Sequence, residues 1–71
     1  MASGSLIVQV AAFSTQDRAN GVAGKLGGAV SPAGRVFRVR LGPFATRAQT
    51  DAALAKARGA GYSDARIQRA D

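Results

Sequence analysis

The stretch LIVQVAAFST, Leu6 to Thr15, returns as FRVRLGPFAT, Phe37 to Thr46, thirty-one positions later. Val8 corresponds to Val39, Val10 to Leu41, Phe13 to Phe44 and Thr15 to Thr46. Gln9, by contrast, corresponds to Arg40 and Ile7 to Arg38. One alternate set stays apolar while the other turns polar and basic. Alternation with a period of two marks a strand that buries one face. Whatever fold the chain adopts must bury the same strand and turn twice and leave a second set of positions free.

Each copy runs on into a helical pattern. After the first, Ser14 is placed to cap a helix, with Asp17 three residues on in the manner of a capping box. Ala19, Val22, Ala23 and Leu26 recur at the spacing of one helical face. Gly21 and Gly24 soften that helix, each costing about 1 kcal/mol against Ala, and Gly27-Gly28 stops it. GAVS follows as a short strand and SPAGR as a turn. After the second copy, Thr46 is the cap and Gln49 completes a better box. Thr50, Ala53, Leu54 and Ala57 form the helical face, Gly59 and Gly61 end it, and DARIQR is the last strand. The plan is βαβ twice, too few units for a solenoid. Right-handed crossovers put both helices on one side of the sheet. The expected fold is an α+β two-layer sandwich of the RNP/ferredoxin-like kind, with a four-stranded antiparallel sheet, over residues 6–69. Met1 to Ser5, MASGS, is read as a start codon and cloning scar, a disordered leader that would replace any natural targeting segment.

Parity assigns the faces. Val8 and Val10 belong with Phe37, Val39, Leu41, Val30 and Ile67 in the row toward the helices. The bare face then carries Ile7, Gln9, Val36, Arg38, Arg40, Arg66 and Gln68. A slip of one residue would bury Arg38 and Arg40 unpaired, at several kcal/mol each, so the register is well specified. Arginines and amides gathered on one open sheet have the composition of a binding surface. A merely solvated sheet face is the alternative.

Charge agrees with an anionic partner: the net value is +6, from ten Lys and Arg against four Asp and Glu. The chemistry available for catalysis is sparse. There is no His and no Cys, which removes the usual general base, thiolate metal sites and disulfides. The acids Asp17, Asp51, Asp64 and Asp71 fall on different elements, so no carboxylate pair converges. Ser14, Ser31 and Ser63 lack an activating base. GKLGG ends a helix rather than opening one, which argues against a phosphate-cradling loop. No enzyme activity, cofactor or metal is expected. No apolar run approaches the roughly 18 residues that span a bilayer, so this stretch is not expected to contact a membrane.

An RNA-binding or single-stranded nucleic-acid-binding module is the competing reading, since that architecture with basic residues also serves RNA recognition. Such modules stack bases on aromatics at outward positions of the central strands. Here those positions hold Val36, Arg38 and Arg40, and Phe13 and Phe44 sit at strand-to-helix joints where they would cap the core.

The two joined motifs, VQVAAFST and FRVRLGPFATRAQTDAALAKARGAGY, resemble the SPOR (sporulation-related repeat) domain, whose pattern runs V-Q-V-G-A-F-S and then Y-R-V-R-V-G-P-F-A-T/S-R-A-E-A. The resemblance extends from Leu6 to Arg69. It departs at Ala11, where the family usually has Gly, at Phe37, where Tyr is common, and in the glycine-softened first helix. The resemblance implies a non-catalytic module that binds bacterial peptidoglycan, preferring glycan strands stripped of their stem peptides. Such strands arise where amidases act at the division septum. The domain would then be a monomeric targeting unit in the cell envelope, periplasmic and septal, at the C-terminal end of a larger protein. The family's ligand-facing Gln of V-Q-V and Arg of Y-R-V match Gln9 and Arg38. Parity adds Arg40, Arg66 and Gln68 as polar contacts, with Ile7 and Val36 as apolar contacts to sugar rings.

Overall fold

The computed structural model describes residues 6–69, so the leader expected at Met1 to Ser5 lies outside the described residues. Strand β1 spans Leu6–Phe13, helix α1 Gln16–Leu26, β2 Ala29–Ala33, β3 Val36–Phe44, α2 Arg47–Gly59 and β4 Arg66–Arg69. Every strand pairing is antiparallel, in the order β2-β3-β1-β4. The repeated strands β1 and β3 are the central pair. Each repeat sends its helix across the other's strand, α1 packing on β3 and α2 on β1. The halves interlock, giving the α+β sandwich that the pattern predicts.

The register itself obeys the repeat. Phe13 sits opposite Phe37, Phe44 opposite Leu6, and Gln9 opposite its own counterpart Arg40. Strict alternation nevertheless breaks in β1. Gln9 pairs with Arg40 but Ala11 pairs with Val39, which leaves Val10 as the extra residue of a β-bulge. Val10 is buried and Ala11 packs against the core beside it, while Ala12 is exposed opposite Arg38. Phe13 then returns to the core side. A second irregularity falls in β3 between Leu41 and Phe44, just beyond Leu41, the counterpart of Val10. There Gly42 has φ 104°, and a Cβ on it would lie 2.9 Å from Phe44 Cδ2 and 3.0 Å from the Leu6 carbonyl oxygen. Ala11, the repeat counterpart of Gly42, has no positive φ.

Three local expectations are corrected. The cap of α1 is Thr15, not Ser14: its hydroxyl accepts from Arg18 N at 3.4 Å. Asp17 is therefore one place closer to the start of the helix than in a capping box, and acts through the positive helix end instead. Thr15 is the exact repeat counterpart of Thr46, which accepts from Gln49 N at 3.2 Å. The Gln49 side chain reaches back to Ala45 N at 3.3 Å, one residue before the cap. Finally, β2 continues through Pro32, which had been expected in a turn. β2 is an edge strand, where the missing N–H of proline is tolerated, and the turn shrinks to Gly34-Arg35.

Between sheet and helices lie Val8, Val10, Leu26, Val39 and Leu41, with Ala19, Ala23, Ala57 and Ala65. The many alanines let the helices approach closely but contribute little volume. Thr50, fully buried, donates its hydroxyl to the Thr46 carbonyl at 2.8 Å and so costs no unmade bond. Phe13, Phe37, Phe44 and Tyr62 close the edges of this core, half-buried. The link into β4 is held by Arg58, whose Nη2 donates to the Ala65 carbonyl at 3.2 Å.

Candidate functional site

On the side away from the helices, residues fall into rows across the strands. One row runs Ala29, Arg40, Gln9, Arg66, from one edge of the sheet to the other. The next, toward the β2–β3 turn, holds Ser31, Arg38 and Ala12. Val36, opposite Ala33, closes that end, and Gln68, opposite Ile7, closes the other. The bulge sets which alanine joins the face: in unbroken register Ala11 would stand opposite Arg38 and Ala12 opposite Phe37 on the core side, whereas here Ala12 takes the outward place beside Arg38.

Arg38, Arg40, Gln9 and Arg66 are thus brought together, and Val36 and Gln68 stand at opposite corners. Strand spacing sets the Arg40 and Arg66 backbones about 10 Å apart with Gln9 between them, and Arg38 and Arg40 about 7 Å apart. Small residues flank the arginines, so the patch is shallow. Among the described residues the ion pair found is Arg47 with Asp51, at 3.0 Å on α2, remote from this face. Gly28 fixes how closely the α1–β2 connection approaches it, since a Cβ there would fall 2.5 Å from the Arg40 carbonyl oxygen.

Ile7 corrects the expectation of an exposed apolar contact. It is on the predicted face but only 6 % exposed. It stands on a central strand with neighbours on both sides, and serves as floor rather than as contact surface. Gln9 Oε1 and Arg40 Nε show a related feature. Both atoms are shielded from solvent and neither makes a hydrogen bond, although the two residues face each other across β1 and β3. An unmade bond of this kind costs about 1–3 kcal/mol. The pair therefore holds one acceptor and one donor that the protein itself leaves unsatisfied.

Some residues of the face were missed by sequence reasoning. Ser31 was legible in principle, since Val30 inward makes Ser31 outward. Ala12 was hidden by the bulge. Asp64 precedes β4 and lines a concavity of about 350 Å³ with Gln9, Ala11, Ala12 and Arg66. No strand periodicity reaches a loop residue of that sort.

A profile of the SPOR domain matches residues 2–68. The chain belongs to the SPOR domain family. In shape it is similar to a solution structure described as the peptidoglycan binding domain of the B. subtilis cell wall lytic enzyme CwlC, with a TM-score of 0.77. The match covers 100% of this chain and 96% of that one at 23% sequence identity, a likeness of fold. No curated protein matches. Membership of the SPOR family rests on the profile match, and in this member the open face carries the arginine and glutamine array.

Proposed function

We propose that this SPOR domain is a non-catalytic module that binds bacterial peptidoglycan through the open face of its sheet, and that it prefers glycan strands lacking stem peptides. The observation that carries the reading is the contiguous Arg38, Arg40, Gln9, Arg66 patch with its two unpartnered polar atoms. Removal of a stem peptide by an amidase leaves a free lactyl carboxylate on the muramic acid. A guanidinium binds carboxylate through paired, charge-assisted bonds. Gln9 supplies a group that both donates and accepts, as sugar hydroxyls and acetamides require. A shallow patch admits a bare strand, whereas a stem peptide would collide with the sheet. Binding of this kind would bring a larger envelope protein to the septum, with the domain acting as a monomer. The peptidoglycan-binding description of the structurally similar CwlC domain supports the same ligand class.

Nucleic acid is the weaker candidate. The aromatic side chains that an RNA sheet would present for stacking are here packed against the core, Phe37 opposite Phe13 among them. Titration at physiological salt with denuded glycan strands, with strands retaining stem peptides and with mixed single-stranded RNA decides the matter. Saturable binding is expected for the denuded strands, weaker binding for the peptide-bearing ones, and RNA binding that collapses as salt rises. Tighter, saturable binding of RNA would overturn the proposal.

A further inference from the structure

We infer that the concavity beside the β1 bulge, at the Gln9 and Arg66 end of the patch, is an acetamide-reading subsite, distinct in chemistry from the Arg38 and Arg40 end; this rests on the glycan-binding reading above. The concavity exists because β4 begins at Arg66, opposite Gln9, so that β1 beyond Gln9 has no neighbour on that side. Gln9, Val10, Ala11, Ala12, Asp64 and Arg66 line it, around about 350 Å³.

Its chemistry differs from that of Arg38 and Arg40. Asp64 offsets the charge of Arg66 and repels a carboxylate, so an acidic group belongs on β3 and a neutral one here. Gln9 Oε1 is without a donor inside the protein, and once the half-buried side chain turns toward the concavity an amide N–H supplies one. Arg66 is exposed and donates to an amide carbonyl. The exposed Ala12 offers a methyl beside them. A group with one N–H, one C=O and one methyl is an acetamide, and having both a donor and an acceptor it suits either orientation of the Gln9 amide. Asp64 is left to accept from a neighbouring sugar hydroxyl. In a polymer of amino sugars every ring carries an acetamide but only the muramic rings carry a carboxylate. The two subsites thus read different groups of one strand.

A short chito-oligosaccharide, which has acetamides and no carboxylate, isolates the concavity. Followed by amide-resolved NMR, it is expected to shift resonances of Gln9, Ala12, Asp64 and Arg66 while leaving Arg38 in place. Its de-N-acetylated form should lose that response. Because the free amine is cationic, loss from general repulsion has to be separated. Gln9→Ala should lower affinity for the acetylated oligomer about threefold to tenfold and shrink the difference between acetylated and free-amine forms. An unchanged difference in Gln9→Ala, or shifts centred on Arg38, would overturn the subsite. Denuded glycan that binds while the chito-oligosaccharide gives no response would overturn the subsite alone. Shifts in the concavity without any binding of denuded glycan would instead overturn the proposed function.

Discussion

At the scale of single residues, the counterparts Ala11 and Gly42 flank or form the two strand irregularities in different ways. Gly42 holds φ 104° against Phe44 and Leu6, whereas Ala11 needs no positive φ. Gly42→Ala should therefore destabilise the domain by about 1–3 kcal/mol, through backbone strain and crowding together. Ala11→Gly should cost under about 1 kcal/mol, and urea unfolding of both variants checks the contrast. The departure of Ala11 from the family pattern is thus accommodated by the backbone rather than by neighbouring side chains. Parity placed Gln9, Arg38, Arg40, Arg66 and Gln68 on the right face because apolar and polar residues alternate cleanly around them. It could not show that Ile7 would be covered, since burial depends on what stands on the flanking strands. Nor could it show the bulge, because both Val10 and Ala11 are small and apolar and fit either face. Asp64 joined the face through the start point of β4, a fact of tertiary pairing.

Among the elements, the helices depend on their caps. Thr15→Ala and Thr46→Ala should each lower stability by about 0.5–2 kcal/mol, while Ser14→Ala should change it by less than about 0.5 kcal/mol. Thermal unfolding of the three variants tests the one-residue correction of the first cap directly. That correction was available from the repeat, since Thr15 aligns with Thr46, but a serine followed three places later by an acid is the stronger local signal. The extension of β2 through Pro32 was hidden for a similar reason: proline followed by glycine signals a turn, and only edge position makes proline compatible with pairing. Phe13 and Phe44 close opposite ends of the core at equivalent joints. Replacing either with Ala should cost about 3 kcal/mol, the low end for a phenylalanine because both are half-buried. A variant that stays as stable as the parent but loses glycan binding would show instead that the ring contacts ligand.

For the whole molecule, a small core rich in alanine and without disulfides sets global stability near the low end, about 3–5 kcal/mol. Substitution of Arg38 or Arg66 avoids that margin, because neither side chain belongs to the core. The overall architecture was legible because two copies of one pattern reinforce each other and leave one interlocked solution. Function depends on whether charge acts through the array or merely in bulk, since the net charge of +6 attracts polyanions wherever it is placed. Arg18 on α1 and Arg38 on β3 carry the same charge on opposite layers. Calorimetric titration of denuded glycan strands into the parent domain, Arg38→Ala and Arg18→Ala is the most direct test. Arg38→Ala should lose about 1.5–3 kcal/mol of binding free energy, and less at high salt, while Arg18→Ala should bind as the parent does. Equal weakening of both variants would mean that bulk charge holds the ligand, and would contradict a site on the open sheet.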